Sequence, residues 1–252
     1  MIELDISVVM FLIAAAFVAG FIDSIAGGGG MITIPALLAV GIPPLQALGT
    51  NKLQSCFGSF SASFHFYQKG HLKIKENLPF IAVVFVFAMI GTLSVQVFSA
   101  DFLSKCIPFL LIIFAFYFLF SPKITEDSSH RLIGVIPLAL VLGGIGFYDG
   151  FFGPGTGSFL MLAMIVLGGF GLTQSLAQAK MFNFTTNIAS TLIFALSGEI
   201  LYSVGLLMAL GQFVGANIGS RIAIGYGVKI IKPLVVCVSL AACVNLLYKQ
   251  YF

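Results

Sequence analysis

Long apolar runs follow one another along the whole chain, separated by short polar loops. The 252 residues are 59% hydrophobic and only 8% charged, whereas a soluble domain carries about 25% charged residues. A chain this apolar cannot cover its surface in water, so lipid must surround most of it. In lipid every backbone polar group needs a partner within the protein, which leaves helices or a closed barrel. Because the runs are continuous rather than alternating at every second residue, they predict an all-α polytopic membrane protein.

Turn signals and charges divide the chain into ten apolar segments, five in each half. The first segment lacks the cationic start of a secretory signal and is predicted to be a transmembrane helix. A full span needs about 20 residues, but the second and seventh segments are much shorter, and each follows a glycine-rich break. We therefore expect eight to ten transmembrane segments, of which two are short and broken. The segments are predicted at 6–24, 31–41, 44–67, 77–98, 104–121, 132–152, 157–169, 172–197, 199–222 and 228–249.

The second half of the sequence repeats the first at an offset of 126 to 128 residues. Two blocks share half or more of their residues, and the aligned ranges are 20–29 with 146–155 and 85–92 with 213–220. Colinear matches of this kind predict a duplicated architecture of two five-segment repeats. The first repeat is predicted to cover residues 1–121 and the second 132–252, joined by a polar linker at 122–131.

Basic loops change places between the two repeats. The loop after the third segment carries three lysines in the first repeat, whereas its counterpart carries only Glu199. For the loop after the fourth segment the difference is reversed, and the basic residues lie in the second repeat, beginning at Arg221. Since cytoplasmic loops are enriched in lysine and arginine, equivalent loops are expected to face opposite sides of the membrane. The prediction is therefore an inverted-topology repeat.

Glycine-rich breaks occupy matching positions in the two repeats. Glycine lets the backbone approach a ligand, and a helix that begins after a break directs N–H groups and a partial positive charge toward it. Matched breaks in inverted repeats indicate a transporter site near the bilayer midplane, and two facing helix starts would suit an anion. The alternative is that the glycines serve only close helix crossings. The expected ligand contacts are Gly27, Gly28, Gly29, Gly30, Gly153, Gly155, Thr156 and Gly157.

Two lysines stand at equivalent positions inside the third segment of each repeat. They are Lys52, beside Asn51, and Lys180, close to Asn183. A lysine at the centre of a membrane helix costs about 2.5–3.5 kcal/mol, so such side chains tend to face cavities and mark function. Near the breaks, the two ammonium groups and the flanking amides would complete an anion site.

Two aspartates, Asp23 and Asp149, are also equivalent, and each precedes a glycine break. They are candidates for proton carriers or Na⁺ ligands. The alternative, equally compatible with the sequence, is that they are ordinary helix caps or charges at the level of the membrane interface. They are also candidates for ion pairs with Lys52 and Lys180, which would form a neutral structural lock. Both roles are compatible, because a lysine shared between an aspartate and a substrate could couple transport to protons.

Several classes of function are not supported by the residues. No histidine or cysteine spacing predicts a metal site, and no nucleophile constellation predicts a catalytic residue. Neither break continues as a phosphate-binding or dinucleotide-binding motif, so no cofactor is expected. No basic patch suits a nucleic acid. The expected partners are the lipid bilayer and a small anion, and association with further copies of the chain stays open.

Two stretches resemble the sulfite exporter TauE/SafE family, also called the toluene sulfonate uptake permease family. They are residues 19–37, AGFIDSIAGGGGMITIPAL, with 47–54, ALGTNKLQ, and residues 146–157, GFYDGFFGPGTG, with Lys180. The resemblance covers nearly the whole chain and implies a multi-pass carrier of the bacterial inner membrane for sulfite, sulfonates or related anions. The second half departs from the family pattern, with a proline inside its break and none matching Pro35. Two unequal sites, one of them chiefly structural, are therefore expected.

The expected function is secondary transport or export of a small anion, namely sulfite, an organosulfonate or a small carboxylate. One half would rock against the other around a shared midplane site. One alternative is a cation- or proton-coupled carrier of another metabolite that uses Asp23 and Asp149. Another is a membrane-embedded enzyme or a non-transporting accessory subunit.

Overall fold

The computed structural model describes residues 5–120 and 132–226, and this part of the chain folds into nine helices. The predicted linker and the tenth segment, at 228–249, lie outside the described residues. In chain order the helices are α1 (Ile6–Ala26), α2 (Gly30–Ala39), α3 (Pro44–Gln68), α4 (Ile74–Val95), α5 (Ala100–Phe120), α6 (Val135–Phe151), α7 (Thr156–Val166), α8 (Leu172–Leu196) and α9 (Tyr202–Tyr226).

Three of the described helices are long and apolar enough to cross a membrane: α1, α4 and the part of α9 from Tyr202 to Ala223. Large apolar side chains point outward from them, among them Met10, Val86 and Leu210, as expected of surfaces in contact with lipid. α3 and α8 have 25 residues each but bury polar side chains along their length. The chain is therefore a helical membrane protein, while the number of crossings and the inverted topology stay predictions.

The two short segments are short helices, as expected. α2 has 10 residues and α7 has 11, so each spans about 15 Å, half the hydrocarbon thickness of a bilayer. α1 ends at Ala26, and Gly27 directly after it has a left-handed φ of 78°. α6 is separated from α7 by Gly153 and Gly155, at φ of 100° and 83°. Residues that carry a side chain rarely adopt this backbone conformation, so glycine at these positions allows one helix to end and the next to begin.

Helix α4 begins at Ile74, three residues before its predicted start. The charges of Lys75 and Glu76 suggested a loop, but both residues lie in the first turn. An acidic side chain there stabilises the helix, because it faces the positive end of the helix dipole. α7 in turn ends at Val166, earlier than predicted, and Gly169 follows it with a left-handed φ of 71°.

The tightest helix crossings join the two halves of the chain. α1 packs mainly against α9, and α6 mainly against α4, while α3 and α8 pack against each other at the centre. α9 presents glycines at every fourth position, and a Cβ on any of them would overlap a backbone carbonyl oxygen of α1. These glycines are Gly211, Gly215 and Gly219. In membranes, where lipid tails are as apolar as leucine, such small residues bring two backbones into close contact.

The same arrangement recurs between α4 and α6. A Cβ on Gly91 would overlap the carbonyl oxygen of Phe147, and one on Gly150 would overlap that of Ala88. Each closely packed pair thus takes one helix from each half of the chain. The partners also correspond as the sequence repeat predicts, since α1 is equivalent to α6 and α9 to α4.

Replacing Gly150 with alanine is expected to destabilise the fold, because the added methyl group overlaps the Ala88 carbonyl oxygen. Overpacking of this kind costs about 1–3 kcal/mol. The matched control is Gly144→Ala on the same helix, where a Cβ meets nothing within 4 Å. Thermal unfolding in detergent should give a lower midpoint for Gly150→Ala and an unchanged or higher one for the control. Equal midpoints would contradict the tight crossing.

Candidate functional site

A small cavity lies where the two helix breaks meet the middle of α3, α8 and α9. Its volume is about 20 Å³, which is room for about one water molecule. The wall consists of polar side chains and glycine backbone. It is formed by Asp23, Gly27, Gly29, Gly30, Asn51, Lys52, Ser55, Asp149, Gly153, Gly155, Thr156, Gly157, Asn183, Asn187 and Gln212.

Nearly all the residues proposed from the sequence therefore come together in one place. Among them only Gly28 and Lys180 do not line the cavity. Lys180 is fully buried, but its ammonium group is directed at Asp23 rather than into the cavity. That these residues bind a substrate stays a prediction.

The two glycine breaks lie directly against each other. A Cβ on Gly157 would be 2.7 Å from the Cα atom of Gly27. Next to this contact, the hydroxyl group of Ser158 donates a hydrogen bond to the carbonyl oxygen of Ala26. The first turns of α2 and α7 consequently open onto the same cavity, and the positive ends of both helix dipoles act on it.

Each buried lysine forms an ion pair with the aspartate of the other half. The Lys52 Nζ lies 2.8 Å from Asp149 Oδ1, and the Lys180 Nζ lies 3.0 Å from Asp23 Oδ2. The ion pairs considered as a structural alternative are thus present, and they cross between the halves. Because one partner of each pair precedes a break and the other lies on a long central helix, the pairs connect α6 to α3 and α1 to α8.

The Asp23–Lys180 pair uses both carboxylate oxygens of its aspartate. Oδ1 of Asp23 accepts a hydrogen bond from the Gly29 N–H at 3.1 Å, while Oδ2 faces the ammonium group of Lys180. Lys180 also donates to the backbone carbonyl oxygen of Asp23. This pair therefore closes the end of α1 onto the start of α2.

The Asp149–Lys52 pair is less complete. Oδ1 of Asp149 forms the ion pair with Lys52, and the same atom accepts a hydrogen bond from the Thr156 hydroxyl group at 2.7 Å. Oδ2 of the same carboxylate is buried and has no hydrogen-bond partner among the described residues. Gly153 leaves room for the pair, since a Cβ there would lie 3.0 Å from both the ammonium nitrogen and Oδ1.

Two amides of the cavity wall, Asn51 and Asn183, are oriented by neighbours that donate hydrogen bonds to their oxygens. Oδ1 of Asn51 accepts hydrogen bonds from Thr33 and from Gln54. Oδ1 of Asn183 accepts one from Asn187 at 3.2 Å. Since the oxygens are used within the protein, the N–H groups of Asn51 and Asn183 are the groups that remain for a ligand.

Three residues of the wall were not expected from the sequence: Ser55, Asn187 and Gln212. Ser55 stands at the position equivalent to Asn183 when the halves are aligned, so the repeat could have identified it. Asn187 lies one helical turn after Asn183. Gln212 carries no such signal, because its counterpart in the first half is the apolar Val84.

Comparison with known proteins finds relatives that are named as probable membrane transporters. The family model described as "Sulfite exporter TauE/SafE" matches residues 12–246. The "Probable membrane transporter protein ORF9" of Sinorhizobium sp is 50% identical over 97% of this chain and 94% of its own length. The "Probable membrane transporter protein YfcA" of Escherichia coli strain K12 is 46% identical, over 95% of this chain and 90% of its own. No solved structure matches.

Removing one partner of the Asp23–Lys180 pair is expected to destabilise the protein strongly. Lys180→Met leaves a carboxylate without its counter-charge, and breaking a buried pair in this way costs about 3–5 kcal/mol. Adding Asp23→Asn removes the stranded charge and should restore most of the loss. Thermal unfolding midpoints of both single variants and the double variant measure this coupling.

The control is Lys73→Met, which breaks an exposed ion pair with Glu76 whose side chains are 67% and 65% accessible. Exposed pairs contribute little, so this midpoint should barely move. Additive losses in the Asp23 and Lys180 variants would contradict the coupling.

Proposed function

This chain belongs to the sulfite exporter TauE/SafE family of membrane transporters, and we propose that it is a secondary carrier of a small anion. Its substrate class is sulfite, an organosulfonate or a small carboxylate. Its place is the inner membrane of a bacterial cell, which it crosses several times. It acts as a carrier rather than an enzyme, and the substrate is held at the cavity between the two glycine breaks.

The observation that carries this proposal is the convergence of positive groups on one cavity. The starts of α2 and α7, the Lys52 ammonium group and the amide N–H groups of Asn51 and Asn183 all belong to its wall. Helix starts and charged donors of this kind bind anions, because they supply N–H groups and positive charge together. While no anion is bound, Asp149 pairs with Lys52, and Asp23 accepts a hydrogen bond from the Gly29 N–H at the start of α2.

The small volume of the cavity supports an alternating-access cycle. In that cycle the cavity is closed in this structure, and it opens to one side of the membrane or the other in two further states. A volume of about 20 Å³ holds about one water molecule, so an anion such as sulfite enters only when the surrounding helices separate. Rocking of one half against the other would break the tight crossings of α1 with α9 and of α4 with α6. We therefore place the moving boundary between these two helix pairs, each of which moves as a unit.

Two other functions predict different behaviour. A cation carrier that uses Asp23 and Asp149 would give Na⁺-dependent flux that survives removal of either lysine. It is disfavoured because both carboxylates are paired with lysines. An accessory subunit would purify with a stoichiometric partner and give no flux alone.

Lys52→Gln is expected to lower anion flux about tenfold or more, since a hydrogen bond to a charged group contributes about 1.5–3 kcal/mol. The measurement is uptake of labelled sulfite, methanesulfonate and malonate into proteoliposomes, with protein-free liposomes as the blank. Lys73→Gln, which changes an exposed lysine, should leave the flux unchanged.

Lys180→Gln is measured in the same way. Undiminished flux in both the Lys52 and Lys180 variants would rule out the role of the lysines. No uptake of any of the three anions by folded wild-type protein would contradict the proposed function itself.

A further inference from the structure

The two ion pairs at the centre of the molecule are not equivalent. Lys52 lines the cavity, and its contact among the described residues is the ion pair with Asp149, whereas Lys180 lies outside the wall and donates hydrogen bonds to two oxygens of Asp23. An ammonium group has three N–H donors, so Lys52 keeps donors available for a ligand. An anion that enters this cavity therefore meets the Lys52–Asp149 pair.

Binding of an anion there disturbs the balance of charge. Whether a monovalent anion displaces Asp149 or shares the ammonium group with it, the site gains one negative charge. The Asp149 side chain is 2% exposed, and its Oδ2 atom already lacks a partner among the described residues. A buried carboxylate without a counter-charge is strongly disfavoured, and it becomes neutral by binding a proton.

We propose that Asp149 is the proton-binding residue of the transport cycle, and that one proton crosses the membrane together with each monovalent anion. This inference rests on the proposed function. The proton comes from the aqueous phase on the side where the anion enters, and it binds the Oδ2 atom of Asp149. On the other side the anion and the proton leave, and Asp149 pairs with Lys52 again.

The net charge of the site supports one proton per anion. The empty site holds two lysines and two aspartates and is neutral. The site loaded with a monovalent anion and one proton is also neutral. Because both forms present the same charge to the low-dielectric interior, both can change conformation at similar cost. Loading without a proton would leave one uncompensated negative charge.

The groups around Asp149 leave it as the candidate for the incoming proton. Lys52 pairs with it from α3, the Cys56 thiol on the same helix contacts the Thr191 hydroxyl group, and Tyr148 is its neighbour on α6. Of the helices packed on α6, α7 has no titratable side chain, and α8 carries only Lys180, which is paired with Asp23. The charges of α4 lie in its first turn, far from the Ala88 turn that contacts α6.

Asp23 is unsuited to the same role, although it also lines the cavity. Both of its carboxylate oxygens have partners, one in Lys180 and one in the Gly29 N–H. Protonation would weaken both interactions at the start of α2. Asp23 is therefore a structural residue that keeps the first break closed.

The test uses the full-length wild-type protein in proteoliposomes that contain a trapped pH-sensitive dye. The probe is methanesulfonate, because its charge does not change across the neutral pH range. With equal pH on both sides and the voltage clamped at zero, an inward methanesulfonate gradient should acidify the lumen by one proton per anion taken up. The apparent affinity should fall as pH rises, approaching tenfold per pH unit, as linkage to one proton requires.

Asp149→Asn resembles the protonated residue permanently. It should retain exchange of labelled for unlabelled methanesulfonate, but lose lumen acidification and the dependence of affinity on pH. Asp23→Asn should keep the pH dependence whatever its absolute rate. Asp101→Asn, in an exposed pair with Lys105, is the background control.

The outcomes separate the two proposals. Uptake of sulfite, methanesulfonate or malonate without proton movement overturns this inference and leaves anion transport intact. A pH dependence that persists in Asp149→Asn, or that disappears in Asp23→Asn, also overturns it. The wild-type proton stoichiometry decides the matter even if a variant does not fold. Uptake of none of the three anions overturns the proposed function, and this inference with it.

Discussion

Two ion pairs that cross between the halves of the chain determine how its centre is built. Four ionised side chains lie deep among apolar helices, and they are tolerated there because each ammonium group has a carboxylate within 3.0 Å. The pairing requires the end of each aspartate-bearing helix to approach a long central helix. The glycines that follow make this approach feasible, since a side chain at Gly153 would crowd the ammonium group of Lys52. The breaks, the helix starts and the cavity are arranged around these two contacts.

The inequality of the pairs corresponds to the inequality of the two breaks. The first break is a run of glycines whose backbone N–H serves Asp23. The second contains Pro154 and is followed by Thr156, whose hydroxyl group binds the same carboxylate oxygen that Lys52 uses. As a result, one oxygen of Asp149 has two partners and the other has none among the described residues. A duplicated sequence has thus produced one pair in which both carboxylate oxygens have partners and one in which an oxygen has none among the described residues.

Much of the fold could be predicted, because helix length and chain breaks depend on local sequence. The apolar runs and the glycines located all nine described helices to within a few residues, including the two short ones. The crosswise pairing could not be predicted, since both Asp23 and Asp149 were eligible partners for Lys52. Only the packing of α1 on α9 and of α6 on α4 selects between them. Gln212 was missed because a single polar side chain in an apolar helix gives no indication of which way it faces.

Each closely packed helix pair takes one helix from each half of the chain, and this determines when in synthesis the pairs can form. α1 leaves the ribosome first, but α9, its packing partner, begins almost 200 residues later. At ordinary rates of synthesis this delay is roughly 10–40 s. Throughout it, α1 lacks the neighbour against which its backbone finally lies, and α4 lacks its own neighbour until α6 is made in the second half. Neither half is therefore a folding unit of its own, and a chain that stops midway is an unfinished substrate for quality control rather than a half-sized carrier.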